Sequence, residues 1–249
     1  MMPIQKKLIL TETKLFLREP AAVFFVVVLP AALLLVLGAS IPGFRDADPS
    51  LGGERVIDTQ LPGMMVLLSI VTLALSSLPS TLVAYREKGV LRRMSTTPIR
   101  PTALLVAQIA ISAVVAVLST ALTLTLGHLV LGVPVPRQLA AFAGVLVLGA
   151  VAMFSIGLWL AAVAPNTRVV QGAGAVVMFP LLFLGGMWLP RDLMPSALRV
   201  VSDFTPTGAF GQVLRDTMAG HAPGLPHLAV LAGWALIAGI AAARMFRWE

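Results

Sequence analysis

The sequence predicts an all-α integral membrane protein in which about six helices cross the bilayer. Hydrophobic residues make up 58% of the 249 positions and charged residues only 12%, and the mean hydropathy is +0.93. In soluble proteins, roughly a quarter of all residues are charged. A run of about 20 apolar residues can cross the hydrocarbon core as a helix, because a helix satisfies its own backbone hydrogen bonds. We therefore interpret residues 1–249 as a single transmembrane domain.

Six long stretches without Asp, Glu, Lys or Arg define the predicted spans. They are placed at residues 22–41, 61–84, 103–131, 139–164, 169–189 and 228–243. The first stretch could instead belong to a signal peptide, since Lys6 and Lys7 precede it and Gly38-Ala39-Ser40 resembles a cleavage site. Its length and its distance from Met1 favour a span.

The distribution of charge predicts the orientation of the spans. With a cytoplasmic N-terminus, twelve of the 18 basic residues lie inside, and the outside holds six basic and seven of the 11 acidic residues. This asymmetry follows the positive-inside rule and places both termini in the cytoplasm. The net charge of +7 is therefore interpreted as a topology signal, and no nucleic-acid partner is expected.

Residues 4–19 are predicted to form an N-terminal amphipathic elbow helix on the cytoplasmic surface. Lys7, Lys14 and Arg18 share one face, and Pro20 marks the bend into the first span. The same residues could also be a plain basic flank that retains the first span.

The loop between the second and third predicted spans combines charge with an apolar ridge. Val90, Leu91 and Met94 recur at helical spacing beside Arg92 and Arg93. Five positive charges alone would suffice for topology. A short helix with a basic face and an apolar ridge is also suited to docking in the groove of a partner.

Residues 190–226 are too apolar for a plain extracellular loop. Pro195 and Thr205-Pro206 are typical of helix starts, because proline is tolerated in a first turn and threonine can cap it. We predict two short helices that dip into the outer leaflet and pack against protein.

Hydroxyl and amide side chains form two stripes on predicted spans. They are Ser69, Thr72, Ser76 and Ser80 on the second span and Gln108, Ser112, Ser119 and Thr123 on the third. Such residues could pack helices together or line a translocation path for an amphipathic substrate. Both interpretations stay open.

The sequence gives little support for a catalytic site or a metal site. The chain has no phosphate-binding loop, so it should not hydrolyse ATP by itself. His128, His221 and His227 lack metal-ligand spacing, and the absence of cysteine excludes a thiolate site. A serine protease at Ser155 would lack the glycine usual two residues before the nucleophile. No predicted span holds an acidic residue, which argues against a proton-driven antiporter.

Two motifs resemble those of the type-2 ATP-binding cassette (ABC) export permeases, especially the daunorubicin-resistance-like branch. The first is Tyr85-Arg86-Glu87-Lys88-Gly89 followed by Leu91, Met94, Thr97 and Pro98, similar to the family's cytoplasmic coupling element. The second is Gly185-Gly186-Met187-Trp188-Leu189-Pro190 with Pro195, Thr205 and Pro206, similar to its extracellular re-entrant element. Together with the elbow and six spans, the resemblance covers nearly the whole chain.

The resemblance implies a transport subunit of the bacterial cytoplasmic membrane that exports a drug, an antibiotic or a lipid-like molecule. It implies a second permease chain, and two copies of a soluble ATPase that bind the ATP and Mg²⁺. No cofactor is expected in this chain itself. The implied ATPase interface comprises Glu87, Gly89, Val90, Leu91, Arg92, Arg93, Met94, Thr97 and Pro98. An ion-coupled secondary transporter is the alternative, and an adjacent reading frame for a soluble ATPase would separate the two.

Overall fold

A computed structural model describes residues 11–47, 53–90, 101–189 and 191–245. These residues are almost entirely helical, with one isolated β-bridge between Ala47 and Arg55. Eight residues of the predicted sites lie outside the described ranges. They are Lys7, Leu91, Arg92, Arg93, Met94, Thr97, Pro98 and Pro190.

The prediction of six spanning helices is confirmed. Six helices are long and apolar enough to cross a membrane: α2 (Pro20–Ser40), α3 (Val56–Glu87), α4 (Pro101–Leu131), α5 (Leu139–Val163), α6 (Thr167–Leu184) and α9 (Leu225–Met245). Three further α-helical segments of the described chain are α1 (11–17), α7 (Ser196–Phe204) and α8 (Pro206–Ala219).

Two spans have one end that lies five residues from the predicted position. Helix α3 begins at Val56, before the predicted start, and its first turn contains Asp58, whose carboxylate lies 2.7 Å from the guanidinium of Arg55. Helix α6 ends at Leu184, five residues early. Gly186 has a φ of +87°, and glycine in this left-handed conformation commonly terminates a helix.

Two proline residues widen the helices that contain them. A π-helical turn covers Phe24–Val28 in α2, and a second covers Leu73–Ser77 in α3. Pro30 and Pro79 follow two residues after these turns. Proline has no N–H to donate and clashes with the carbonyl four residues before it, so each helix takes up one extra residue in a π turn.

Helix α3 forms the centre of the core, since Leu67, Ile70 and Leu75 are fully buried in it. Helix α8 is inserted among α3, α5 and α9, and Phe210 at its middle is also fully buried. The side chain of Phe210 occupies the space that a methyl group at Gly149 of α5 would need. Helices α6 and α9 keep most of their apolar surface exposed, as expected of helices that face lipid.

The helix bundle has two ends, and each is named here after one residue that lies at it. The Tyr85 end contains α1, the end of α3 and the start of α6. The Asp203 end contains α7, α8 and the start of α9. The candidate functional residues lie at these two ends and between α3 and α4.

Candidate functional site

Three consecutive residues at the end of α3 bind three different parts of the protein. The first is Tyr85, whose hydroxyl donates a 2.6 Å hydrogen bond to Oε2 of Glu12 in α1. The amide of Gln108 in α4 donates a 2.5 Å bond to the same oxygen. Glu12 is only 7% exposed. This buried carboxylate therefore joins α1, α3 and α4.

Arg86 binds the end of α5. Its guanidinium donates to the backbone carbonyl of Ala161 at 3.3 Å and also to that of Ala164. The last carbonyls of a helix have no partner within the helix and carry partial negative charge. Arg86 therefore caps α5 while its own backbone lies in α3.

Glu87 binds the start of α6. The backbone N–H of Thr167 donates a 3.1 Å bond to Oε1 of Glu87, and the Thr167 hydroxyl donates to Oε2. A carboxylate is favourable at a helix N-terminus, where unpaired N–H groups point outwards. Glu87 was predicted to belong to the ATPase interface. In the structure it holds α3 to α6.

Gly89 ends this segment in a left-handed conformation with a φ of +64°. Its N–H donates a 3.0 Å bond to the carbonyl of Arg86. Gly89 thereby turns the chain out of α3, and Val90 is the last residue described before position 101. Residues 88–90 are thus the described start of the loop in which a coupling helix was predicted.

A cavity of about 250 Å³ lies beside this junction, between α1, α3 and α4. Its polar lining includes Glu12, Arg18, Ser77, Thr81, Gln108 and Ser112. Gln108 and Ser112 belong to the polar stripe predicted on the third span. From α3, however, Ser77 and Thr81 line the cavity rather than the predicted Ser76 and Ser80.

The π turn explains this difference of one position. A stripe at regular helical spacing continues from Ser69 through Thr72 to Ser76 and Ser80. The extra residue in the turn Leu73–Ser77 rotates the following part of α3, so that the same face continues one residue later. Ser76 is exposed on the outer side of the helix, and Thr72 and Ser80 are half-buried.

The two stripes meet at one buried cluster. The Ser69 hydroxyl lies 2.7 Å from the carbonyl oxygen of Val26 and 2.9 Å from the Ser119 hydroxyl, which lies 2.8 Å from the same carbonyl. Pro30 cannot donate to this carbonyl, which lies four residues before it. Two hydroxyls from α3 and α4 therefore satisfy the group that proline leaves free. Thr123 lies deeper in α4, and its buried hydroxyl has no hydrogen-bond partner in the described chain.

The remaining basic residues predicted for the elbow lie on the surface. Lys14 and Arg18 are both exposed on and just after α1. Arg18 also lines the cavity.

At the Asp203 end, hydroxyls hold α6 to α7 and α8. Ser202 donates a 2.6 Å bond to the carbonyl of Leu184, and Thr207 donates a 2.6 Å bond to that of Leu181. Gly185 lies close enough to Leu67 and Thr207 that an added methyl group would clash with Leu67 at 2.7 Å. These contacts fix the end of α6 against the short helices.

The predicted helix starts at this end coincide with the observed ones. Pro195 precedes the first residue of α7, and Pro206 is the first residue of α8. The Thr205 hydroxyl caps α8 by accepting a 3.1 Å bond from the N–H of Gly208. Trp188 is 55% exposed and stacks on Phe179.

Asp203 has polar partners on two sides. The guanidinium of Arg191 forms two 2.7 Å bonds to its two oxygens, and Nε2 of His227 lies 3.4 Å from Oδ1. The Arg191 guanidinium beside Asp203 holds the pKa of that carboxyl below its usual value. Among the described residues, no three His, Cys, Asp or Glu side chains come together as a metal site.

Sequence reasoning missed several residues of the Tyr85 junction. Glu12 and Thr167 lie far along the chain from Tyr85 and Glu87, so no local pattern connects them. The one available signal was that Tyr85 is the single tyrosine of the chain, placed at the boundary of a span with Arg86 and Glu87.

Comparison with known proteins places this arrangement among transport proteins. The family model described as ABC-2 type transporter matches residues 6–219. The inner membrane transport permease YhhJ of Escherichia coli (strain K12) is 29% identical over 150 residues, which is 59% of this chain and 40% of that protein. The protein of the same name from Shigella flexneri matches to the same extent. The matched region thus spans two fifths of the length of these curated relatives.

Proposed function

Because this chain belongs to the ABC-2 type transporter family, we propose that it is the membrane-spanning permease of an ATP-driven exporter whose ATPase is a separate chain. ABC-2 permeases are membrane components that work with an ABC ATPase. The six apolar helices supply the membrane domain. The exported molecule is proposed to be an amphipathic drug, antibiotic or lipid-like compound, as in the daunorubicin-resistance-like branch.

The observation that carries this proposal is the Tyr85-Arg86-Glu87 junction. Three neighbouring side chains of α3 bind α1, α5 and α6 directly before the loop that is proposed to dock on the ATPase. Glu12 of α1 also accepts a bond from Gln108 of α4. A movement of that loop would therefore act directly on three helices besides α3, and on α4 through Glu12. A loop used only to connect two spans would need no such attachments.

The Tyr85 end is proposed to face the cytoplasm. The positive-inside rule supports this orientation, since Arg86, Lys88, Arg168 and Arg244 lie there with the basic loop 91–100. Cysteine mutagenesis tests it cleanly in a chain without natural cysteine. Ala222→Cys should react with an impermeant thiol reagent added to intact cells, and Ser95→Cys should not.

The functional unit is proposed to contain two permease chains and two ATPase subunits in the bacterial cytoplasmic membrane. Leu91, Met94 and Val90 would enter a groove of the ATPase, where buried apolar area contributes roughly 25 cal/mol per Å² before the costs of association. Arg92 and Arg93 would add steering and register more than affinity.

A charge placed in the apolar ridge tests the proposal. Leu91→Asp should abolish co-purification of the ATPase and ATP-dependent export, because the groove would receive an unpaired charge. Ser95→Asp in the same loop adds the same charge outside the ridge and serves as the control. If the Leu91→Asp permease keeps its ATPase and full export, this loop is not the docking element.

A further inference from the structure

The cavity between α1, α3 and α4 contains an unusual carboxylate. Glu12 is buried, yet both of its hydrogen bonds come from neutral groups, the Tyr85 hydroxyl and the Gln108 amide. Both bonds end on Oε2. Within the described chain, Glu12 forms no ion pair, and its Oε1 accepts no hydrogen bond. An ionised carboxylate in a buried site is costly unless it is compensated, so a positively charged partner in the cavity would stabilise Glu12.

The rest of the lining indicates what this partner carries besides its positive charge. Arg18, Lys88 and Glu19 line the same cavity, and the Arg18 guanidinium suits a phosphate group. Ser77, Thr81 and Ser112 add hydroxyls that can donate or accept. A ligand that matches both signs of charge has an ammonium group and a phosphate in one molecule.

The apolar part of the lining indicates that the ligand also carries hydrocarbon. Leu15, Phe16, Leu73 and Ile111 contribute to the walls. Leu73 and Tyr85 both line the cavity, and the twelve helical positions from one to the other correspond to about 18 Å along α3. The cavity thus runs from the charged end of the bundle to the depth of the acyl chains. Its volume of about 250 Å³ is below the roughly 300–1,000 Å³ of drug-sized pockets, which suits a headgroup.

We propose that this cavity binds a phospholipid with a primary amine, its ammonium group at Oε1 of Glu12 and its phosphate towards Arg18. The lipid would enter from the leaflet at the Tyr85 end. This inference goes beyond the proposed function, since binding requires neither ATP nor the ATPase. The lipid would hold α1 against α3 and α4 through the same carboxylate that Tyr85 and Gln108 bind.

Competition binding tests the proposal on the purified full chain in detergent. The probe is radiolabelled dioleoyl phosphatidylethanolamine, and the competitors are unlabelled phosphatidylethanolamine, phosphatidylcholine and phosphatidylglycerol. We expect phosphatidylethanolamine to compete at concentrations at least tenfold lower than the other two. The trimethylated amine of phosphatidylcholine cannot donate to Oε1, and phosphatidylglycerol has no cation. Equal competition by all three lipids would overturn the proposal.

The variants assign the preference to the cavity. Glu12→Gln keeps an acceptor for Tyr85 and removes the charge, so it should lose the tenfold preference. Asp46→Asn, at an exposed carboxylate near the other end of the bundle, should keep it. A Glu12→Gln protein that still prefers phosphatidylethanolamine would contradict the role of this carboxylate.

A second variant keeps Glu12 and fills the space instead. The Thr81 hydroxyl bonds only the Ser77 carbonyl in its own helix, at 3.0 Å. Thr81→Phe should block lipid binding, and Thr81→Ser should preserve it. Unchanged binding to Thr81→Phe would place the lipid elsewhere. Competition by glycerophosphoethanolamine, which has the headgroup without chains, at the same concentration as the lipid would overturn the lipid as ligand.

Discussion

The Tyr85 hydroxyl and the Glu12 carboxylate are joined by a 2.6 Å hydrogen bond across 73 positions of sequence. Glu12 precedes the first span and Tyr85 ends the second, so this contact fixes the N-terminal helix to the core helix α3. Arg86 and Glu87 extend the same attachment to α5 and α6. The hydrogen bonds that join α3 to these neighbouring helices therefore lie together at the end of α3.

Tyr85→Phe should destabilise the protein. The variant removes a hydrogen bond to a carboxylate and keeps the ring, and such bonds contribute about 1.5–3 kcal/mol. Thr81→Val is the matched control, because its lost hydroxyl bonds only within α3, and it should change stability by less than about 0.5 kcal/mol. Thermal unfolding in detergent measures both. If both variants lower the unfolding temperature equally, the hydrogen bond to Glu12 contributes no more to stability than the hydroxyl of Thr81 does.

Ser69→Ala and Ser119→Ala should each have a small effect, and the double variant a large one. Either hydroxyl alone can donate to the Val26 carbonyl, and the loss of both leaves a buried acceptor unpaired at a cost of about 1–3 kcal/mol. A double-mutant cycle measures this non-additivity. Additive effects would show that the two serines act independently.

The number and approximate placement of the spans could be predicted, because apolar length is imposed by the bilayer. Pro195 and Thr205-Pro206 also predicted helix starts correctly, since capping acts within one turn. Local signals of this kind depend on adjacent residues only. They do not reveal which helices touch.

The face of α3 beyond its π turn could not be predicted from regular spacing. The sequence contains Pro79, but an ordinary kink would also have accommodated it. The extra residue moved the lining of the cavity from Ser76 and Ser80 to Ser77 and Thr81. Similarly, the partners of Arg86 are backbone carbonyls at the end of α5, and backbone groups leave no mark in the residue types.

Gly157→Ala should strongly destabilise the protein. A methyl group at this position of α5 would overlap the backbone carbonyl of Ala74 in the π turn of α3. A backbone group cannot move aside as a side chain can, so overpacking should cost about 1–3 kcal/mol or more. Gly144→Ala in the same helix meets open space and is the control. The measurement is the yield of monodisperse protein and its unfolding temperature; a tolerated Gly157→Ala would contradict the close approach of α5 and α3.

Stability at the Asp203 end should decrease in acid. The pKa of Asp203 is lowered in the folded state, first by its bond to Arg191, from an ordinary value of 3.8. The stabilisation is therefore complete above pH 3.8 and is lost as the pH falls through the lower folded value. Unfolding temperatures measured between pH 5 and pH 2.5 should fall less steeply for Asp203→Asn than for the natural protein, and Asp46→Asn should follow the natural protein. An unchanged slope in Asp203→Asn would exclude this pair as a source of the acid sensitivity.

Thr167→Val should separate ATPase docking from the transmission of movement. The variant removes the hydroxyl that donates to Glu87 and keeps the shape of the side chain, so α3 loses part of its hold on α6. The docking loop is untouched, and the ATPase should co-purify as with the natural chain. The rate of ATP-dependent export should fall roughly 2- to 30-fold, which corresponds to a loss of about 0.5–2 kcal/mol of coupling free energy. Thr125→Val, at an exposed position of α4, should leave export unchanged. Reduced co-purification with Thr167→Val, or full export with it, would show that the Glu87–Thr167 contact does not carry the movement from the loop into α6.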